Sequence, residues 1–334
     1  MKIFVPQKIR KATASVLVAV SGGSDSVAML LALREELEPK RIIVAHYNHK
    51  IRGAEADRDE TLVRELCESL GVSFISGSGD VPAIAKQTGE SIEMAARSMR
   101  REFLLATAES NNCMAIAIGH NRDDQVETLF LRLLRGAGLR GLGGIRPELA
   151  SENGMLFFRP VINCSHSELQ AFLKEKYSQQ WCEDSTNMDL DILRNKLRAK
   201  IVPIFKENFG ESFDQPIIRT MELLRLDAEC LDSMANDFLR KISVPDEQSY
   251  ATIQVDGLAD LHEAIRGRVL LEFVYSSKLM QNVTKPIVDR LWALCEGDGS
   301  EQRIATLSNN CVAIRKNAHL KLLPMDVYNK LKLE

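Results

Sequence analysis

The sequence predicts an α/β protein whose first part holds a parallel sheet covered by helices on both faces. Two observations support this fold class. Up to about residue 160, short apolar segments alternate with amphipathic helical patterns, which is typical of strands buried in a parallel sheet. From about residue 212 the pattern changes to a long helix-prone stretch and then to short strands mixed with a helix. This change predicts a linking helix followed by a smaller α+β domain.

Four strands and four helices account for the first part. The strands are predicted over continuous apolar or β-branched runs: Val16–Val20, Arg41–Tyr47, Val72–Ser76 and Met114–Gly119. The helices are predicted where apolar residues recur every three or four positions: Ser26–Leu37, Glu55–Leu70, Ser91–Ser110 and Asp123–Arg135. Because ligands of such sheets bind at the carboxyl ends of the strands, the loops after the first, second and fourth strands are expected to meet at one site.

The second half is predicted mainly from its helical patterns. Residues 165–205 are expected to be helical with a polar break over 184–191, and a long helix is expected over Pro216–Arg240. Short strands are predicted at Ile253–Val255 and Val312–Ile314. We therefore predict two domains, a catalytic domain over residues 1–211 and a helical linker with a small C-terminal domain over residues 212–334.

Composition limits the class of protein. The 334 residues carry 43 basic and 46 acidic side chains, which argues against a nonspecific nucleic-acid coat but leaves room for a local basic face. The sequence has no apolar run long enough for a membrane span, and because residues 1–6 lack a long apolar segment or a cleavage-like site, we expect no secretory signal. Seven scattered cysteines without a Cys-x-x-Cys pair suit a reducing compartment and predict no disulfide frame, zinc site or iron–sulfur site. We therefore expect a cytoplasmic protein.

The loop after the first strand has the composition of a phosphate-binding turn. Its residues are Ser21, Gly22, Gly23, Ser24, Asp25 and Ser26. Glycines allow close backbone approach, the amides at a helix start favour anions, and the Asp25 carboxylate can hold magnesium against phosphates. The chain has no Gly-Lys dipeptide, which excludes a Walker A loop, and its G-x-G-x-x-G match at residues 136–141 follows a helical pattern instead of a strand. An ordinary βα turn rich in small residues is the alternative.

Two histidine-containing segments end the second and fourth strands. His46 begins the first of them, and the second carries His120, Asp124 and Glu127. Acidic groups beside a phosphate-binding turn indicate a metal, so Asp25 and Asp124 are the predicted magnesium pair. The location of His120 makes it a candidate general base, although the sequence does not identify that base. Helix capping is the alternative for the acids, and it fits Asp123 better than Asp124.

Arginines form two further groups. Arg97 and Arg101 fall on one face of a predicted helix, where they could hold phosphate or form surface salt bridges. Arg194 and Arg198 likewise share a helix face, with Asn195 between them. They form a candidate basic face for nucleic acid, and a solvated helix face is the alternative.

The motifs occur in an order that resembles the bacterial tRNA(Ile)-lysidine synthetases, members of the PP-loop ATP pyrophosphatase superfamily. The resemblance covers roughly residues 14–205. Its motifs are Ser21–Ser26, His46 to Gly53, Glu93 to Arg97, Gly119 to Glu127, Leu134 to Gly141, Arg159-Pro160, Asp184 to Asn187 and Arg194 to Arg198. The chain has Thr186 where the family pattern has serine, and the hydroxyl is kept.

The resemblance implies a fold, a reaction and site residues. The fold is an adenine nucleotide alpha hydrolase-like domain. The reaction joins L-lysine to the wobble cytidine of tRNA(Ile) with a CAU anticodon, through an adenylated cytidine, with ATP and Mg²⁺. Together with the residue patterns it assigns Asp25, His120, Asp124 and Glu127 to catalysis; Ser21 to Ser26 and His46 to ATP; Arg97, Arg101, Asp184 and Asn187 to phosphate or substrate; Arg135, Arg194, Asn195 and Arg198 to tRNA; and Asp25 and Asp124 to the metal.

Other functions remain open at this stage. A PP-loop tRNA thiolase is one, although such enzymes commonly use cysteine pairs; a synthetase acting on a small metabolite is another. A non-catalytic, nucleotide-dependent RNA-binding module is a third, which the paired acids argue against. The region after about residue 215 is expected to secure tRNA identity, with a stabilising cap as the alternative. The oligomeric state is open, and a homodimer is allowed for.

Overall fold

The computed structural model of the chain describes residues 1–51, 53–151, 153–182, 193–246, 250–280, 283–297, 301–308 and 310–331. The chain divides into two units, Met1–Glu222 and Leu223–Glu334, which we describe separately. Among the described residues, no helix combines the length and the apolar character that crossing a bilayer requires.

The first unit is built on a six-stranded sheet. Its strands are β1 (Val16–Ala19), β2 (Ile42–Asn48), β3 (Ser73–Ser78), β4 (Ala115–Ala117), β5 (Glu148–Ala150) and β6 (Leu156–Phe158). Their order in space is β3-β2-β1-β4-β6-β5. All neighbours pair in parallel except β5, which runs antiparallel to β6 at the edge. The predicted parallel sheet is thus confirmed. Strands β5 and β6 were not predicted, because each has three residues and neither lies in an apolar run as long as the one around β4, Met114–Ile118.

Helices cover this sheet on both faces. In chain order they are α1 (Gln7–Lys11), α2 (Ser24–Glu36), α3 (Ala54–Leu70), α4 (Val81–Thr88), α5 (Ile92–Ser110), α6 (Arg122–Leu134), α7 (Leu139–Leu142), α8 (His166–Phe172), α9 (Leu193–Lys196) and α10 (Val202–Phe209). Strand β1 shows the alternation of a two-sided sheet, since Val16 and Val18 belong to the core that contains α2, whereas Leu17 packs with Leu104 and Ala108 of α5. Burial on both faces explains why β1 reads as a continuous apolar run.

The strand order places a crevice beside β1. The chain leaves β1 towards β2 on one side and pairs β1 with β4 on the other. This reversal is the topological switch point at which open α/β sheets bind ligands, outside the carboxyl ends of the strands. The loops that follow β1 and β4 therefore flank the crevice.

The second unit is an α+β domain, as predicted. Helix α11 (Asp214–Ile242) is 29 residues long and contains the boundary between the units. The elements after it are β7 (Thr252–Gln254), α12 (Glu263–Ser276), α13 (Lys285–Cys295), β8 (Arg303–Ser308), β9 (Cys311–Lys316), β10 (His319–Pro324) and α14 (Met325–Leu331). The four strands form an antiparallel sheet in the order β7-β10-β9-β8. Residues of α12 and α13 such as Phe273 and Leu291 share its core.

Candidate active site

The loop after β1 leads directly into helix α2. Gly22 has φ +97°, a conformation that favours glycine. The Ser26 hydroxyl accepts a hydrogen bond from the Ser21 amide at 3.1 Å and donates one to the Gly23 carbonyl at 2.9 Å, which closes the turn on itself. Helix α2 begins at Ser24, and no side chain caps its first amides. The loop therefore presents free N–H donors and the positive end of a helix dipole, as an anion site requires.

The loop after β4 approaches this turn closely because of Gly119. A Cβ at position 119 would lie 3.3 Å from the Cα atom of Ser26 and 3.4 Å from its nitrogen. Any side chain here would push the two loops apart. The missing side chain thus sets the distance between the phosphate-binding turn and the residues that follow β4.

Both oxygens of the Asp25 carboxylate are held by neighbouring side chains. Asn121 donates its Nδ2 amide to Oδ2 at 3.0 Å, and His166 Nδ1 lies 2.8 Å from Oδ1. The hydrogen bond to Asp25 raises the pKa of His166. Asn121 is 1% exposed, and its Oδ1 accepts a hydrogen bond from the Asp124 amide at the start of α6. Asn121 therefore links the acid of the first loop to the helix after β4.

Asp124 and Glu127 form ion pairs with the arginines of the later helical segment. Arg194 bonds to Asp124 Oδ1 at 2.7 Å and to Glu127 Oε2 at 2.6 Å, and Arg198 bonds to Glu127 Oε1 at 2.7 Å. Glu127 is 1% exposed. We call these four residues the paired cluster. They meet because Asp124 and Glu127 lie three residues apart on one face of α6.

The capping alternative for the acids fits Asp124, not Asp123 as the sequence suggested. Helix α6 begins at Arg122, one residue earlier than predicted, so Asn121 is the N-cap and Asp124 occupies the third position of a capping box. Asp124 Oδ2 accepts from the Asn121 amide at 2.9 Å, whereas Asp123 accepts from the His166 amide. Burial raises the pKa of Asp124, and Arg194 opposes that effect.

His120 is surrounded by positive charge. Its Nδ1 accepts a hydrogen bond from Arg159 Nε at 3.3 Å. Burial, followed by the charges of Arg159, Arg194, Arg100 and Arg97, lowers its pKa to about 3. The ring is therefore neutral near pH 7, with its proton on Nε2.

Arg97 and three arginines within reach of its charge lack acidic partners among the described residues. Among the described residues, no carboxylate lies within ion-pair distance of the members of this open arginine cluster, which are Arg97, Arg100, Arg132 and Arg159. Arg132 donates to the carbonyls of Gly141 and Gly144, and Arg159 donates to that of Arg146. Arg101, predicted to act with Arg97, instead stacks over the Phe157 ring, with its guanidinium carbon 5.6 Å from the ring centroid.

A cavity of about 780 Å³ opens beside the phosphate-binding turn and His120. Its lining includes the loop after β1, Arg100, His120, His166 and Arg198. Tyr47 and His49 also line it, whereas His46 is 4% exposed and its Nδ1 donates to the Val20 carbonyl at 2.9 Å. His46 thereby fastens the end of β1 directly before the phosphate-binding turn.

The remaining predicted residues are placed in different ways. Arg135 follows the last residue of α6, at the opposite end of that 13-residue helix from Asp124. Asn195 lies on α9 between the two arginines of the paired cluster. Asp184 and Asn187 lie outside the described residues, as does Arg52.

Sequence reasoning did not select Asn121, His166 or Arg159 as site residues. Asn121 could have been found from its position three residues before Asp124, which is the spacing of a capping box. Arg159 and His166 follow β6, and the short apolar pair Phe157-Phe158 was the available signal for that strand.

The donor set fits magnesium at Asp25. Mg²⁺ in proteins takes one or two carboxylates together with substrate phosphates, and the Asp25 side chain is 29% exposed beside the free amides of α2. Asp124 differs from Asp25 because it is buried and its two oxygens bond to the Arg194 cation and the Asn121 amide. Asp124 reaches a metal only if Arg194 releases it, so its metal role stays a prediction.

Comparisons with known proteins agree with the fold and the ordered motifs. The family model described as the PP-loop domain matches residues 2–205. A tRNA(Ile)-lysidine synthase from Clostridioides difficile is 31% identical over 318 residues, covering 94% of this chain and 68% of that protein. Those from Geobacter sulfurreducens and Clostridium tetani are 34% and 35% identical, covering 79% and 65% of this chain but only 55% and 46% of their own lengths.

A solved structure shows the same fold. The U34-tRNA thiolase NcsA from Methanococcus maripaludis matches with a TM-score of 0.53 and 19% identity, covering 66% of this chain and 74% of that one. The match with the family model and the similarity to curated relatives over most of the chain agree. The chain belongs to the PP-loop family and, within it, to the tRNA(Ile)-lysidine synthases.

Proposed function

We propose that this chain joins L-lysine to carbon 2 of the wobble cytidine of tRNA(Ile) with a CAU anticodon. ATP adenylates the 2-carbonyl oxygen and releases pyrophosphate, and the lysine ε-amine then displaces AMP to give lysidine. The observation that carries the proposal is the single cavity that joins the phosphate-binding turn to His120 and reaches Arg198 of the paired cluster. An adenylation site needs a phosphate-binding turn and a pocket for the accepting base side by side.

The first loop and α2 would hold the triphosphate. The amides at the start of α2, which no side chain caps, and the hydroxyls of Ser21 and Ser24 would bind the phosphates, and Asp25 would hold Mg²⁺ among them. Magnesium, when bound, neutralises charge on the phosphate oxygens. Asn121 and His166 keep the Asp25 carboxylate in one orientation.

His120 is suited to donate a hydrogen bond instead of acting as the candidate general base. A pKa of about 3 leaves it a weak base at pH 7, and Arg159 occupies its Nδ1 lone pair. Its neutral Nε2–H can stabilise an oxygen that gains negative charge. Adenylation makes the cytosine oxygen a leaving group, and a positioned donor lowers the cost of that step.

The tRNA would contact both units. We assign the activated base or nearby RNA to Arg194, Asn195 and Arg198, and the RNA backbone to Arg135. The second unit would recognise parts of the tRNA outside the anticodon, because methionine tRNAs also carry CAU and must be rejected. We place the protein in the cytoplasm, where its substrates are, and allow for a homodimer.

The cysteines give no support to the thiolase alternative. Burial raises the pKa of Cys182 beside the cavity to about 11, and it also raises the pKa of Cys164 to about 11. A sulfur carrier needs a lowered thiol pKa and an accessible position.

Incubation with radiolabelled lysine, ATP and tRNA transcripts tests the function. We expect label in tRNA(Ile) with a CAU anticodon and none in methionine tRNA. Asp25→Ala should abolish ATP–pyrophosphate exchange while tRNA binding remains, because Asp25 is the charged side chain of the loop. Lysine incorporation by this variant at the normal rate would contradict the role of Asp25, and no incorporation by the unaltered chain would contradict the function.

A further inference from the structure

The open arginine cluster collects positive charge without a matching acid. Arg97 and Arg100 lie three residues apart on α5, and Arg159 is tied to His120. Burial lowers the pKa of Arg132 and of Arg159, in the latter to about 10, and the charge of Arg97 lowers both further. Arg132, which is half-buried, and Arg159, which is buried, are therefore held where their charge is poorly solvated and is repelled by the exposed Arg97.

Such an arrangement is costly unless an anion binds to it. Like charges in a region of low dielectric repel strongly, and a buried cation without a counter-ion loses its hydration. Elsewhere in the same unit the chain pairs arginine with acids, as Arg122 pairs with Asp214 at 2.6 Å. The absence of an acid from the open arginine cluster, among the described residues, indicates that its anion comes from a ligand.

The donors that remain suit phosphate. Arg132 and Arg159 use Nη1, and in the latter also Nε, for protein partners, and no described residue bonds to Nη2 of either. Arg97 and Arg100 make no hydrogen bond to described residues. Planar guanidinium forks bind phosphate oxygens in pairs, which a lysine ammonium cannot do.

The position favours RNA over ATP as the source of that phosphate. The triphosphate has its own turn at Ser21–Ser26, whereas Arg97 is exposed on α5. A base that leaves its stack to enter the cavity keeps its backbone outside, so its flanking phosphates must be met at the entrance. We propose, resting on the proposed function, that the open arginine cluster binds the backbone phosphates beside the RNA base that enters the cavity.

Binding of two ligands to the full chain tests the proposal. The probes are ATP and an RNA stem-loop with a CAU anticodon, titrated over a range of salt concentrations. The variant is Arg97→Gln with Arg100→Gln, and the control is Arg64→Gln, which removes a charge on α3 that pairs with Glu60. We expect the variant to bind RNA about 100-fold more weakly, about tenfold for each lost charged hydrogen bond. Its salt dependence should fall by about one to two in log–log slope.

The outcomes separate this inference from the proposed function. Weaker RNA binding with unchanged ATP binding supports the assignment, provided the control binds RNA like the unaltered chain. Weaker ATP binding with unchanged RNA binding would assign the cluster to the triphosphate and overturn it, and so would unchanged or jointly weakened binding of both. If the unaltered chain does not bind the RNA, the proposed function itself is contradicted.

Discussion

The first unit contains two arginine clusters that differ in whether their guanidinium groups pair with carboxylates. In the paired cluster, Arg194 and Arg198 meet two acids of α6 at 2.6 to 2.7 Å. In the open arginine cluster, Arg132 and Arg159 donate only to backbone carbonyls and to His120 among the described residues, and Arg97 and Arg100 make no hydrogen bond there. A paired guanidinium stabilises the fold, because removing it leaves a buried acid without a counter-charge. An unpaired one weakens the fold slightly and gains its partner from a ligand.

Stability should separate the clusters most clearly. Arg194→Ala leaves Asp124 and the buried Glu127 short of a cation, so we expect a loss of about 3 kcal/mol in the free energy of unfolding. Arg97→Ala relieves repulsion and should leave stability unchanged or slightly higher. Urea unfolding of both variants measures the difference. Equal losses would remove the distinction between the clusters.

The lowered pKa of His120 should make the free energy of unfolding depend on pH. Its pKa is about 3 in the folded chain against an ordinary value of 6.5, so below pH 6.5 the unfolded chain binds a proton that the folded chain refuses. The contribution of His120 to the free energy of unfolding is fully present above pH 6.5. It is lost as the pH falls towards 3, at up to about 1.4 kcal/mol per pH unit. His120→Gln should flatten this part of the stability curve.

NMR titration should show the His120 pKa rising in Arg159→Gln, and an unshifted value would contradict the influence of the cluster.

A smaller effect is expected where a carboxylate is held without any arginine. Asn121→Asp keeps an N-cap oxygen for α6 but replaces the donor to Asp25 with a second negative charge. We expect the KM for ATP to rise about tenfold, the scale of one hydrogen bond to a charged group, with little change in kcat. Asn121→Ser, which also caps helices but adds no charge, is the matched control. A fall in Tm with unchanged KM would reduce Asn121 to a structural cap.

The sequence was sufficient where function depends on neighbours along the chain. The turn at Ser21–Ser26 and its helix were predicted because strand, glycines and helix start are contiguous. The partners of Asp25 could not be predicted, since Asn121 lies 96 positions away and His166 lies 141. Pairing of Arg194 with Asp124 spans 70 positions and likewise depends on tertiary packing. The sequence did not reveal the acids that pair with these arginines, and the prediction that the arginines serve RNA stays a prediction.

The central position of β1 has a consequence for the order in which the enzyme is made. Val16 can pair with Ile42 soon after synthesis, but its partner on the other side, Ala115, is made much later. His166, which touches Asp25, comes later still. A chain emerging from the ribosome therefore makes the phosphate-binding turn early and its other wall late, since long-range pairing waits for the distant segment. ATP cannot contact both the phosphate-binding turn and the residues that follow β4 and β6 until nearly half of the chain has been made. We therefore expect ATP to stabilise only long nascent chains.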